Sequence, residues 1–175
     1  MGLRMLEDLL RPGLDVVFVG TAASTESARQ KVYYAHAQNK FWPTLKRIGL
    51  IPDAFERRDF ACLLDFGIGL TDLCKTRAGM DRTLRRRDFD VDGLRTKLLS
   101  AAPRCIAFTS RRAASVFLAQ PSSGLRLGVP LYVSAQLPPL FVLPSPSGAA
   151  SGHWSIEPWQ ALAAFIGARQ VRTHR

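Results

Sequence analysis

Cysteines are few in this chain, and no two stand close together in sequence. Cys62, Cys74 and Cys105 are isolated and none belongs to a Cys-x-x-Cys pair, which argues against a zinc or iron–sulfur site. Their odd number and apolar neighbours predict reduced, buried thiols and a cytoplasmic protein. Acidic residues are also scarce, with 14 Asp and Glu against 24 Lys and Arg, a formal net charge of +10 at pH 7. A surplus that large on a small domain points to a polyanion, most simply nucleic acid. No apolar run reaches membrane-spanning length, so no membrane partner is expected. Glu7 and Asp8 stand where an export signal would be uncharged, and none is expected. There is no internal repeat.

What the chain does have is a globular composition. Its 175 residues are 47% apolar and suffice for one domain with a sizeable core. Val16, Val17, Phe18 and Val19 form an unbroken apolar run closed by Gly20, the pattern of a strand covered on both faces. Gly20-Thr21-Ala22-Ala23-Ser24 then carries almost no side-chain bulk, so a flat ligand or a phosphate could approach the backbone closely. Ser24 or Thr25 can cap the next helix.

Along the rest of the chain, residues 1–14 read as a lead-in helix closed by Pro12-Gly13. Phe41, Trp42, Leu45 and Ile48 share one helical face before Gly49. Phe66 to Asp72, with two glycines, reads as a short irregular strand and a loop. Residues 75–88 read as a charged, mobile loop, either wet or touching phosphate. Val91, Leu94, Leu98 and Ala101 mark an amphipathic helix. Cys105–Thr109 reads as the second buried strand, followed by a helix to Gln120. Strands are expected near Leu131–Ser134 and Leu140–Leu143, and a last helix from Ser155 to Gly167 with a basic tail after it.

This alternation predicts an α/β fold: a three-layer α/β/α sandwich around a four-stranded, mostly parallel sheet, in one domain whose core covers residues 15–168. Three turns then converge on the carboxyl edge: Gly20–Ser24, Thr109–Arg111 and Pro144–Gly148. Such turns suit a phosphate backbone and a base pocket.

Four stretches in order, Gly20–Ser24, Tyr34–Trp42, Gly67–Leu73 and Val142–Gly148, resemble the uracil-DNA glycosylase superfamily. Its mismatch-specific uracil/thymine and hypoxanthine branches are the most similar. The resemblance implies DNA bound along the carboxyl edge, and excision of uracil or another deaminated base without metal or cofactor. It also implies a ring, Tyr34, stacked on the flipped base, and a catalytic Asn before the Phe-Trp pair, Asn39. Two positions depart from the family pattern. Ala22 stands where the mismatch-specific branch has a water-positioning Asn, and Ser145 stands where the second motif usually begins with Asn or His.

The residues then suggest roles. Backbone N–H groups of Gly20, Thr21, Ala22, Ala23 and Ser24 could receive charge developing on the leaving base. Asn39 orients water or the base edge, or caps the next helix. Asp72 holds a water or reads the base edge, or pairs with Lys75 or Arg77. His153, ahead of His36, is a candidate electrophile toward the base. Ser110, Arg111, Ser145, Pro146, Ser147, Gly148, Lys75 and Arg77 suit the DNA backbone. Ala149-Ala150-Ser151-Gly152 is too small to wedge a duplex, which would favour single-stranded substrate if no other residue does so. No lysine stands at a clear pocket position, so simple hydrolysis by a monomer is expected. Excision of uracil leads, with hypoxanthine or mixed deaminated-base excision next. A non-catalytic reader of damaged DNA is the alternative that Ala22 motivates.

Overall fold

The computed structural model describes residues 5–172. Residues 1–4 of the expected lead-in and 173–175 of the basic tail lie outside them.

The strands are β1 Val16–Ala22, β2 Ile68–Cys74, β3 Cys105–Phe108 and β4 Leu140–Val142. All pair in parallel in the order β2-β1-β3-β4. The helices are α1 Thr25–Gln30, α2 Phe41–Arg47, α3 Val91–Ala101, α4 Arg111–Leu118 and α5 Glu157–Arg172.

Strand parity sorts the core into two clusters. Val16 and Phe18 of β1, with Ile68, Leu70, Cys105, Ala107 and Phe141, pack under α2 and α5 through Phe41, Trp42, Leu45, Trp159, Leu162 and Ile166. Val17 and Val19, with Leu73, Ile106, Phe108, Leu140 and Val142, pack against Leu94 and Leu98 of α3 and Ala113, Ala114 and Phe117 of α4. The expected three layers are therefore present. The chain leaves β1 in one direction for β2 and in the other for β3 and β4. Helix α2 accordingly lies on one face, and α3 and α4 on the other, as crossovers of one hand require. The crevice at this reversal lies outside the carboxyl ends of β1 and β3, where open α/β sheets bind ligands.

Several expectations are corrected. The described part of the lead-in is not helical. Leu9 instead makes an antiparallel bridge to Leu70, with both backbone hydrogen bonds at 2.9 Å. Strand β2 is an edge strand, and this segment covers its otherwise unpaired backbone. The stretch expected to be irregular is a regular strand buried along its whole length. Its Gly69 is not a breaker: a Cβ there would lie 2.8 Å from the Leu9 carbonyl and 2.7 Å from Leu14 Cδ1. Glycine permits the close approach of the N-terminal segment. Leu131–Ser134 forms no strand and contributes one bridge, Leu131 to Leu140. The four strands thus include β2 in its place. Strand β1 runs on to Ala22, and α5 continues through Gly167 to Arg172, because the residues after that glycine are tolerant of helix. Cys74 and Cys105 are buried as expected, but Cys62 is exposed, because only Leu63 of its 3-10 segment, Arg57–Phe66, turns fully inward.

Residues 75–90 cross the carboxyl edge through two short 3-10 turns, Asp81–Thr83 and Arg86–Asp88. They are held by Gly79 N–H on the Ala23 carbonyl at 3.0 Å and by Arg112 on the Leu84 carbonyl at 2.8 Å. Among the described residues, no helix is long and apolar enough to cross a membrane.

Candidate functional site

Parity also builds the site. Continuing the α2-side row past Phe18 reaches Gly20, past Leu70 reaches Asp72, and past Ala107 reaches Thr109. Gly20 and Asp72 are register partners, and Thr109 donates its N–H to the Val19 carbonyl at 3.0 Å. Three neighbouring strands therefore present a carboxylate, a gap and a hydroxyl in one line. The gap is tight. A Cβ on Gly20 would lie 2.5 Å from Asp72 Oδ1, 3.5 Å from the Tyr34 hydroxyl and 3.7 Å from Thr109 Oγ1.

Tyr34 enters from the α1–α2 connection with a left-handed backbone, φ 52°. A non-glycine residue holds that conformation only where its surroundings over-determine it. Here the ring stacks on Phe41, with centroids 3.9 Å apart and planes 18° apart, and the hydroxyl meets Thr109 Oγ1 at 3.3 Å. Burial, and then the neighbouring Asp72 charge, push its phenol well above the ordinary tyrosine range. The hydroxyl is therefore neutral and able to donate. Phe41 covers one face of the ring, so a stacked base would have to use the other.

Asp72 is 5% exposed. Its Oδ2 lies 3.7 Å from Lys75 Nζ. Lys75 was expected on the DNA backbone or paired with Asp72, and no lysine was expected at a clear pocket position. The structure instead turns the Lys75 ammonium inward, onto Asp8 Oδ1 at 2.8 Å, the Leu6 carbonyl at 3.0 Å and the Tyr33 hydroxyl at 2.9 Å.

The other sequence-predicted residues lie elsewhere along the carboxyl edge and its connections. Thr21 and Ala22 belong to β1, where Ala22 pairs with Cys74, so the open turn is shorter than expected. Ala23 is buried, and Ser24 caps α1 by accepting the Ser27 N–H at 3.0 Å. Asn39 Oδ1 accepts the Phe41 N–H at 2.9 Å, a brace for the start of α2, whose cap residue is Lys40. Lys40 in turn donates its N–H to the Pro146 carbonyl at 2.8 Å. A Cβ on Gly148 would meet Gln38 Cβ at 2.8 Å. Asn39 thus sits where the Tyr34–Trp42 stretch packs on the Pro144–Gly148 turn. In that turn Ser145 Oγ accepts the Ser147 N–H, and Ser147 Oγ accepts the Ala149 N–H, both at 3.3 Å. His153 is exposed at the end of the 3-10 segment Gly148–His153.

Ser110 caps α4, and Arg111 beside it is exposed. Arg77 pairs with Asp88 at 3.3 Å. Arg82, Arg85, Arg86 and Arg87 are exposed on the crossing loop, and Met80 of the same loop is 49% exposed. Among the described residues, no three His, Cys, Asp or Glu side chains gather as a metal would need. Sequence reasoning missed Thr109 as a side chain, although parity from Cys105 and Ala107 points to it. It also missed Asp8 and Tyr33, whose roles depend on a long-range approach that no local pattern carries.

The arrangement offers an acceptor, Asp72 Oδ1, facing two hydroxyls across a side-chain-free gap. That pattern can hold a water or read a flat heterocycle with adjacent N–H and C=O groups. A family model for the uracil DNA glycosylase superfamily matches residues 7–165. The chain belongs to this superfamily. Its fold is similar to the solution NMR structure of a candidate uracil DNA glycosylase from Methanosarcina acetivorans, at TM-score 0.63 and 22% identity over 94% of this chain and 97% of that one. Membership makes this a DNA glycosylase fold with DNA as the substrate class. The crevice between β1 and β3 is its candidate ligand site, and the arginine-bearing loop crosses the same carboxyl edge.

Proposed function

We propose that this protein flips uracil out of DNA and hydrolyses its N-glycosidic bond, leaving an abasic site. The observation that carries the reading is the near-buried Asp72 carboxylate facing the Tyr34 and Thr109 hydroxyls across Gly20. Asp72 would hold the attacking water and stabilise positive charge on the sugar. The Tyr34 hydroxyl, turning from Thr109, would donate toward a base carbonyl as negative charge develops there, while the Thr109 hydroxyl donates to the Val19 carbonyl at 3.3 Å and positions Tyr34. This assigns to Asp72 the work that Ala22 cannot do. Asn39 would act beside it by shaping the wall that meets the second motif. Arg111, Ser145, Ser147 and Gly148 would hold phosphates.

Hypoxanthine shares uracil's adjacent N–H and C=O, so the same acceptor and hydroxyls support it as a second substrate. Lys75 stands beside the crevice, but an ammonium paired with two carboxylates is not a free nucleophile. Hydrolysis without a lyase step follows, and borohydride should trap no adduct.

The test is single-turnover cleavage of oligonucleotides carrying uracil, hypoxanthine or thymine, single- and double-stranded, with alkali revealing abasic sites. Release of uracil is the expected result. Tight, salt-sensitive binding with no cleavage of any substrate would instead make the protein a non-catalytic reader of damaged DNA.

Met80 bears on strand preference. It is an exposed apolar side chain on the loop that crosses the binding edge, and methionine is among the side chains that wedge base steps apart. Flipping a base from a duplex costs a few kcal/mol that a single strand largely avoids. Met80→Ala is therefore expected to slow cleavage of duplex uracil by about 10-fold and to leave single-stranded cleavage within about 2-fold. Equal rates for both proteins on duplex substrate would remove Met80 from that role.

A further inference from the structure

The N-terminal segment reaches the site through one side chain. Its bridge at Leu9–Leu70 sets it antiparallel to β2, so that residues 8 to 6 run beside Thr71 and beyond, toward the carboxyl edge. Asp8 is fixed there by three donors: Thr71 Oγ1 at 2.6 Å, Lys97 Nζ of α3 at 2.6 Å and Lys75 Nζ at 2.8 Å. Burial raises the Asp8 carboxyl, but hydrogen bonds from Lys75, Lys97 and Thr71 outweigh it and hold the group below the ordinary carboxylate value. Asp8 is thus an anion with Lys75 as one of its counter-ions.

Lys75 has three ammonium hydrogens, and three acceptors lie within hydrogen-bond reach: Asp8, the Leu6 carbonyl and the Tyr33 hydroxyl. Asp72 lies further off, at 3.7 Å, and contributes charge contact more than a directed bond. The two carboxylate oxygens of Asp72 consequently differ. Oδ2 is on the lysine side, and Oδ1 is the atom a Gly20 side chain would strike, on the crevice side.

We propose that Lys75, anchored by Asp8 and Tyr33, is a positioning residue that keeps the Asp72 carboxylate charged and turned toward the crevice. This rests on Asp72 acting in the reaction proposed above. It also replaces the phosphate contact that the sequence suggested for Lys75. A cation within about 4–6 Å favours the ionised carboxylate, typically by one pKa unit or more. Burial of Asp72 itself opposes this, and the other neighbours named above either oppose it too or carry no charge. Asp8 is a second negative charge, the Tyr33 phenol is held neutral by burial and by Asp72 and Asp8, Tyr34 is likewise neutral, and Thr109 is uncharged. Lys97 acts only through Asp8.

The experiment compares wild type with Lys75→Met and Lys75→Arg. It measures the pH profile of single-turnover cleavage and the salt dependence of binding to duplex carrying an abasic-site analogue. Lys75→Met should move the acid limb of the rate profile upward by about one pH unit or more, with Lys75→Arg restoring it. The slope of log affinity against log salt should stay unchanged. A phosphate-contacting lysine gives the reverse: an unmoved pH profile and a slope smaller by about one. That result overturns the proposal.

Carboxyl carbon NMR titration of Asp72 in wild type, Lys75→Met and Lys75→Arg needs no turnover. A midpoint that rises in Lys75→Met and returns in Lys75→Arg supports the role of Lys75. An equal midpoint in the three proteins overturns that role, even if uracil is cleaved. Failure of cleavage on every base, with the midpoint difference retained, would count against the glycosylase reading and leave the Lys75–Asp72 assignment standing.

Discussion

Asp72→Asn is expected to lower the single-turnover rate on uracil-containing DNA by about 100- to 10,000-fold, the range for removal of a group that moves or orients a proton in the transition state. The substitution keeps the size and shape of the side chain and removes its charge. It therefore separates chemistry from packing. Binding to an abasic-site analogue should change by no more than about 3-fold, because Asp72 lies under the crevice and is 5% exposed. The pH dependence carries the sign. A carboxylate that acts in its ionised form gives a rate that falls as pH drops through its pKa and is flat above. Asp72→Asn should abolish that acid limb as well as lower the plateau. An unaltered rate in a folded Asp72→Asn protein would show that the carboxylate does not act. The Lys75 charge would then have one partner fewer and no catalytic consequence.

The layers of this fold were legible because they depend on local rules. Val16–Val19 and Cys105–Phe108 are continuous apolar runs and were read as strands. Phe41, Trp42 and Leu45, and Leu94 and Leu98, follow helical spacing and face the two sides of the sheet. What failed depends on approach between distant segments. The glycines of β2 look like breakers, yet Gly69 is a strand residue that admits Leu9. The lead-in looks helical on its own, but the free edge of β2 is a stronger partner than helix for a short segment.

The site divides in the same way. Gly20, Asp72 and Tyr34 were named from sequence, and they do stand together. Asn39 was placed with them as a catalytic group or as a cap of the next helix. The structure uses its amide oxygen to brace α2, and seats it at the seam with the Pro144–Gly148 turn. Lys75 was placed on the DNA because it opens a run of cations, with pairing to Asp72 as the alternative. Its inward turn follows from Asp8, which lies 67 positions earlier in the chain and gives no local sign of it.

Gly20→Ala should cost nearly as much activity as the loss of the carboxylate, for a different reason. Gly20 is not among the positive-φ glycines, so an alanine there would suffer no backbone strain. The obstacle is space: its methyl would lie 2.5 Å from Asp72 Oδ1. Asp72 has little freedom to retreat, being on the strand residue directly opposite and held from behind by Lys75. Either the carboxylate rotates or β1 and β2 separate. Overpacking of this kind costs about 1–3 kcal/mol of stability, and misplacing a reacting group by about an ångström can cost 100-fold in rate. The expected result is therefore a lowered Tm together with a single-turnover rate reduced at least about 100-fold. Gly152→Ala supplies the control, since a methyl there meets nothing within 4 Å. A double variant separates the two effects. Removing the carboxylate in Gly20→Ala/Asp72→Ala relieves the collision, so part of the lost stability should return while activity does not. If stability instead falls by the sum of the two single changes, the methyl and the carboxylate do not meet.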